Sequence, residues 1–220
     1  MLKMIALALM VCAGCSFGSG NLQSKYSTDL ESRRIRRIAV LPPETHAPAA
    51  TKTPSLERPL TEAPSSQKDA PETLAKQIYS TMASLPNWQI VADTEVQEVD
   101  RMRPFPNSAA RLREIGEMVF ADAVMVGRIQ RFRERVGDDW GVKSPASVAF
   151  VLDLVDVRRG DVIWSARFDE TQKALSENIL AIGDISQRGV RWLSAEQLTR
   201  DGVKKAVDQL HQILTRAPSS

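Results

Sequence analysis

The sequence predicts an α+β domain with an α/β-like start, a mixed β-sheet with helices packed on it. Three observations predict it. Apolar runs of strand length occur at Arg36–Leu41, Ala123–Arg133 and Ser147–Val157. Apolar residues at helical spacing follow residues 71, 108 and 194. The two kinds come in the order strand, helix, strand, helix, then three strands, then C-terminal helices, an order that fits one sheet covered by helices.

Each element has its own local reason. Arg36–Leu41 reads as a short buried strand stopped by Pro42 and Pro43. Pro71–Leu85 sets Leu74, Ile78, Met82 and Leu85 on one helical face and ends at Pro86. Trp88–Ala92 is a short strand, and Asp93–Val96 opens a further helical turn. Ser108 can cap a helix with Leu112, Ile115, Val119 and Phe120 on one face. Ser147–Val157 is apolar on both alternating sets, the mark of an interior strand. Arg158–Asp161 turns the chain, and Val162, Trp164, Ala166 and Phe168 alternate along the returning strand. The polar stretch Gly137–Pro145 suggests a second hairpin. Ala174–Ile182 has helical character. A Ser-Ala-Glu-Gln capping box at Ser194 starts the closing helix, with a stripe of Val203, Ala206, Val207, Leu210, Ile213 and Leu214.

Residues 36–216 thus form a single domain, broken at about 44–70 by a segment with Pro48, Pro54, Pro59 and Pro64 and almost nothing large and apolar. Such a segment buries too little to offset its ordering entropy and is expected to be a disordered insertion. Phe17–Ser32, rich in Ser, Gly, Asn and Gln, is expected to belong to a tether covering 15–35.

Ahead of it, Met1–Gly14 has a basic start, an apolar stretch and small residues before Cys15, the grammar of an export signal. The apolar run is shorter than the roughly 20 residues a spanning helix needs. Cys12-Ala13-Gly14-Cys15 resembles the bacterial lipobox, although Cys12 stands where an aliphatic residue is usual. The resemblance implies a diacylglyceryl group on the Cys15 thiol and, after cleavage, an acylated amine. Two or more acyl chains hold a protein stably on a membrane, each buried methylene adding about 0.8 kcal/mol. Ser16 resembles the sorting signal for the outer membrane, which implies a domain on its periplasmic face. The alternative is an ordinary signal peptide with two incidental cysteines.

Within the domain, Arg37-Ile38-Ala39-Val40-Leu41-Pro42-Pro43, Ala121-Asp122-Ala123-Val124-Met125-Val126-Gly127 and the hairpin Leu152–Ser165 resemble segments of a periplasmic domain. Curli-secretion-channel lipoproteins, penicillin-binding-protein-activator lipoproteins and the amino-terminal domain of the Tol–Pal translocation protein share it. Channel-forming members carry long amphipathic insertions that become barrel strands; the segment at 44–70 is too proline-rich for that.

Other chemistry is thinly represented. The formal charge of +2 falls to +1 once Lys3 leaves with the leader, giving no electrostatic reason to expect nucleic acid. Both cysteines lie at or before residue 15, and His46 and His211 lack second ligands at motif spacing, so no metal or cofactor site is expected. No phosphate-binding glycine loop or catalytic triad is evident, and the chain is read as non-enzymatic. Asp153 and Asp156 face opposite sides of one strand, and Asp153, set among valines, calls for an arginine or backbone partner. Arg128, Arg131, Arg133 and Arg135 with Phe132 form a basic stripe that a charge-protected strand edge accounts for as well as a binding surface does. Trp140, in Asp138-Asp139-Trp140-Gly141, is a candidate partner contact or a loop plug. The functional expectation is a membrane-anchored lipoprotein binding an envelope protein partner, or further copies of itself, in assembly, secretion or cell-wall maintenance. The alternative is a lipid- or glycan-handling carrier or enzyme with a pocket between sheet and helices.

Overall fold

The computed structural model describes residues 18–19, 21–45, 69–102, 108–137, 142–172 and 192–216. In chain order these form β1 (Gly18–Ser19), β2 (Leu22–Tyr26), a 3-10 turn (Leu30–Ser32), β3 (Arg37–Val40), β4 (Glu44–Thr45), α1 (Ala70–Ala83), β5 (Gln89–Ile90), α2 (Asp93–Met102), α3 (Ser108–Met118), β6 (Ala123–Arg133), β7 (Val136–Gly137), β8 (Val142–Ser144), β9 (Ser147–Asp156), β10 (Val162–Thr171) and α4 (Ala195–Thr215). Eight strands share one mixed sheet in the order β1-β2-β10-β9-β6-β3-β5, with β4 continuing beside β6 after β3. β3 runs parallel to β5 and β6, while β6, β9, β10 and β2 are antiparallel in succession. The fold is α+β, as the alternation of strand and helix patterns implies.

The two sets of alternating side chains meet different partners. Ile38 and Val40 of β3, Ala123 and Met125 of β6, and Phe150, Leu152 and Leu154 of β9 join Leu74, Ile78 and Met82 of α1 and Val203, Ala206 and Leu210 of α4 in the larger core. Ala39, Leu41 and Val124 point the other way, into a smaller core with Val96 and Val99 of α2 and Ile115 and Val119 of α3. Trp164, Phe150 and Phe168 are the largest fully buried side chains. Burying each stabilises by about 1.5–3 kcal/mol. The Phe150 and Phe168 rings stack with centroids 5.1 Å apart. Ser194 caps α4 as the sequence pattern requires: its side chain accepts from the Gln197 N–H, and the Gln197 side chain accepts from the Ser194 N–H.

Several expectations are corrected. Leu22–Tyr26, placed in the tether, is a full strand paired with β10, and the 3-10 turn after it buries Leu30 completely. Its few apolar residues alternate (Leu22 and Tyr26 inward, Gln23 and Lys25 outward), a signal that the polar composition hides. The insertion expected at about 44–70 is corrected at both ends: Glu44–Thr45 pair with Arg128–Ile129 and Ala70 opens α1, while residues 46–68 lie outside the described residues. Val162 is exposed, because a register shift between Val162 and Trp164 puts Ile163 and Trp164 both in the core. β6 is no edge: β9 flanks it on one side and β3 and β4 on the other, so its arginines leave from a face. Ala174–Ile182 lies outside the described residues.

Phe120 also departs from its expected helical face. Helix α3 stops at Met118, and the Ala121 N–H donates to Gly116 O while the Phe120 N–H donates to Glu117 O. This is a Schellman closure with Phe120 at the left-handed position, φ +54°, where glycine is favoured. The side chain is 82% exposed.

Candidate functional site

At one end of the sheet, the starts of β3, β6 and β10 meet the finishes of β2 and β9, and a group of arginines and aspartates gathers around Arg33. The 3-10 turn sets Arg33 in place by burying Leu30 beneath it. Arg33 Nη1 donates to Asp156 Oδ2 at 2.7 Å, Nη2 to Asp29 Oδ2 at 2.8 Å, and Nη2 more weakly to Asp161 Oδ2 at 3.3 Å. Arg159 Nη1 reaches Asp29 Oδ2 at 3.1 Å. Asp122 Oδ2 accepts the backbone N–H groups of Arg36 and Arg37, each at 2.9 Å, which ties the entry of β3 to the start of β6. Gly160, at φ +74°, allows the tight turn that brings Arg158 and Arg159 beside them.

These contacts fix the ionisation of the group. The Arg33 guanidinium, with help from Ser27, holds the Asp29 carboxyl below the usual carboxylate range. Burial pushes the Asp156 carboxyl up, but the backbone N–H of Arg159 and the Arg33 guanidinium outweigh it, and the net direction is down. Burial likewise works against the charge of Arg33, yet its three carboxylates more than restore it. Asp29 and Asp156 are therefore held as carboxylates committed to these partners, unsuited to proton transfer.

A cleft of about 390 Å³ opens among Ser32, Arg33, Arg34, Ile35, Asp122, Asp156, Arg158 and Arg159. Arg34 and Arg158, on its rim, and Arg36 nearby are exposed and form no ion pair among the described residues. A guanidinium without a partner presents a planar fork that matches a phosphate or carboxylate. What the arrangement can do chemically is hold an anion.

The residues singled out from sequence fall elsewhere. Cys15, Trp140 and His46 lie outside the described residues. His211 sits on α4, its Nε2 3.1 Å from Pro86 O and its ring edge-on to Trp88, a packing role. Asp153 finds its arginine in Arg128 across the β6–β9 pair. Arg131 bonds Asp169 and the Ser147 hydroxyl, and Arg135 donates to Trp192 O. The basic stripe is therefore largely internal pairing. Among the described residues no group of three or more His, Cys, Asp or Glu side chains could hold a metal ion, and no helix is long and apolar enough to cross a membrane. The arginine group draws on residues expected only as tether, within 15–35, and as the turn Arg158–Asp161, so its assembly was not expected. The run Arg33-Arg34-Ile35-Arg36-Arg37 was its visible signal.

No family model matches the chain, and no curated protein matches its sequence. Solved structures do share its outline. A single-substitution variant of the PelC dodecamer from Paraburkholderia phytofirmans is 17% identical, with 87% of this chain and 98% of that chain covered and a TM-score of 0.45. Lipoprotein GNA1162 from Neisseria meningitidis is 15% identical over 69% of this chain and 96% of that one, at a TM-score of 0.42. The LpoB C-terminal domain from Escherichia coli is 14% identical over 62% and 83%, at 0.37. At these values the likenesses assign neither family nor activity.

Proposed function

We propose that this chain is a non-enzymatic envelope lipoprotein, held on the periplasmic face of the outer membrane by lipid on Cys15, whose domain binds a protein partner or further copies of itself in assembly, secretion or cell-wall maintenance. The observation that carries the reading is the leader, in which a basic start, a short apolar run and Cys12-Ala13-Gly14 precede Cys15. Trp140 is the proposed contact for the partner. The carrier alternative needs open space between sheet and helices, and no observation favours it. That layer holds Trp164, Phe150, Phe168, Leu74 and Leu210, each nearly or fully buried.

Cross-linking in the native membrane, followed by purification of the full chain, tests the partner half of the reading. The expected result is one envelope protein, or the chain itself, captured at a stoichiometric level and lost with Trp140→Ala. Turnover of a lipid or glycan by the purified chain would overturn the non-enzymatic reading.

A further inference from the structure

The arginine end of the sheet has a second property, set by topology. β1 pairs antiparallel with β2, Gly18 opposite Gln23 and Ser19 opposite Leu22. The chain entering at Gly18 therefore comes from the side on which β2 finishes, at Tyr26. Tyr26 pairs with Trp164, near the start of β10, so that side is the end bearing the Arg158–Asp161 turn, Arg33 and Asp122. Only Ser16 and Phe17 separate Cys15 from Gly18, three steps of the backbone with a reach of at most about 11 Å. A lipid on Cys15 would leave the domain little room to stand off the bilayer.

The same end carries a side chain that the fold does not need. Phe120 lies two residues before Asp122, in the left-handed conformation that disfavours a non-glycine residue, and 82% of it faces solvent. Glycine would close α3 better. An exposed aromatic beside guanidiniums is the composition that settles at a headgroup layer, where the ring meets the acyl boundary and arginine meets phosphate. The carboxylates facing this region are all engaged: Asp29 with Arg33 and Arg159, Asp156 and Asp161 with Arg33, and Asp122 with two backbone N–H groups. Arg37 pairs with Glu95, and Arg113 with Glu117. Arg34, Arg36 and Arg158 remain as the outward charges.

We propose that this end of the sheet is the face the domain lays on an anionic phospholipid surface, with Arg34, Arg36 and Arg158 taking headgroup phosphates and Phe120 inserted at headgroup depth. The orientation rests on the lipid-anchor reading above; the surface itself does not.

The test uses the full chain, made with its own leader and reconstituted into phosphatidylglycerol–phosphatidylethanolamine vesicles. A genetically encoded fluorescent amino acid replaces Phe120 or, in a control chain, Val136, which is exposed beyond the far end of β6. Quenching by headgroup-spin-labelled lipid reports depth. The expected result is severalfold stronger quenching at 120 than at 136. It should be abolished by Arg34→Glu with Arg36→Glu and Arg158→Glu, and weakened by high salt. These three exposed arginines form no ion pair among the described residues, so an unchanged melting curve is expected and separates binding from folding. Equal or weaker quenching at 120, or quenching indifferent to the reversals, overturns the proposal and leaves the end free for a protein. The acyl content of the same sample, read by mass, judges the anchor separately. Acylated chain with position 120 unquenched defeats this surface alone, and unacylated chain with position 120 quenched defeats the anchor alone.

Discussion

Gly202 lies inside α4, where a glycine ordinarily costs about 1 kcal/mol relative to alanine. Its retention has a geometric cause. A Cβ built at this position meets the Phe168 ring at 2.7 Å from Cδ1 and 2.8 Å from Cε1 and Cγ. Phe168 is fully buried and stacked on Phe150, so its ring has little freedom to retreat. Gly202→Ala would regain about 1 kcal/mol of helix propensity while overpacking typically costs about 1–3 kcal/mol. A net loss of about 1 kcal/mol is expected, and a larger one for Gly202→Val, which gains less propensity and adds two methyl groups. In a chain of this size each kcal/mol moves Tm by about 2–4 °C. Thermal melts of the two variants, with Phe168→Leu and the Gly202→Ala/Phe168→Leu pair, complete a cycle. The pair should lose less than the sum of the singles, because the leucine vacates the space the methyl needs. A Tm raised by Gly202→Ala, as at an ordinary exposed helix position, would refute the close packing of α4 on β10.

Trp164→Ala should cost about 3–5 kcal/mol in chemical denaturation, since the side chain is fully buried in the larger core, whereas Trp140→Ala should leave the melting curve intact and reduce partner capture; reversed effects would contradict the assignments. Asp29 and Asp156 titrate below their ordinary 3.8 in the folded chain. Their network thus adds stability above that pH and loses it as pH falls through the lower folded values. Stability measured from pH 6 downward should fall steeply below about pH 4. Arg33→Met should lower the neutral plateau and flatten that fall; an unchanged slope would show that Arg33 does not hold these carboxylates. Phe120→Gly should raise stability by about 1 kcal/mol, because it relieves the left-handed strain of an exposed residue; a loss would mean that the ring packs.

The helices and long strands were legible because their apolar periods are clean: Leu74, Ile78 and Met82 on α1, the stripe on α4, and the doubly apolar β9 flanked by β6 and β10. What the pattern hid has physical reasons. β2 is stabilised by backbone pairing to β10 with only Leu22 and Tyr26 as apolar signal, and composition made it resemble a tether. The register shift at Val162 and the Schellman closure at Phe120 are decided by how the chain must turn, which apolar spacing does not encode. The arginine end joins residues more than a hundred positions apart, such as Arg33 and Asp156, through the sheet order β2-β10-β9-β6-β3. Its parts were visible as two short basic runs, but their meeting was not. Arg128 and Asp153, by contrast, were near enough in pattern for the need of a partner to be read, although the partner itself came from β6.

Lipid on Cys15 is the most directly testable part of the proposed function, and labelling growing cells with a radioactive or clickable fatty acid detects it. The chain should carry label after denaturing purification. Cys15→Ser should lose it and either stay uncleaved or leave the membrane fraction, because the proposed anchor is chemical and no described helix is long and apolar enough to replace it. Label that survives Cys15→Ser, or a wild-type chain that never acquires it, would contradict the account.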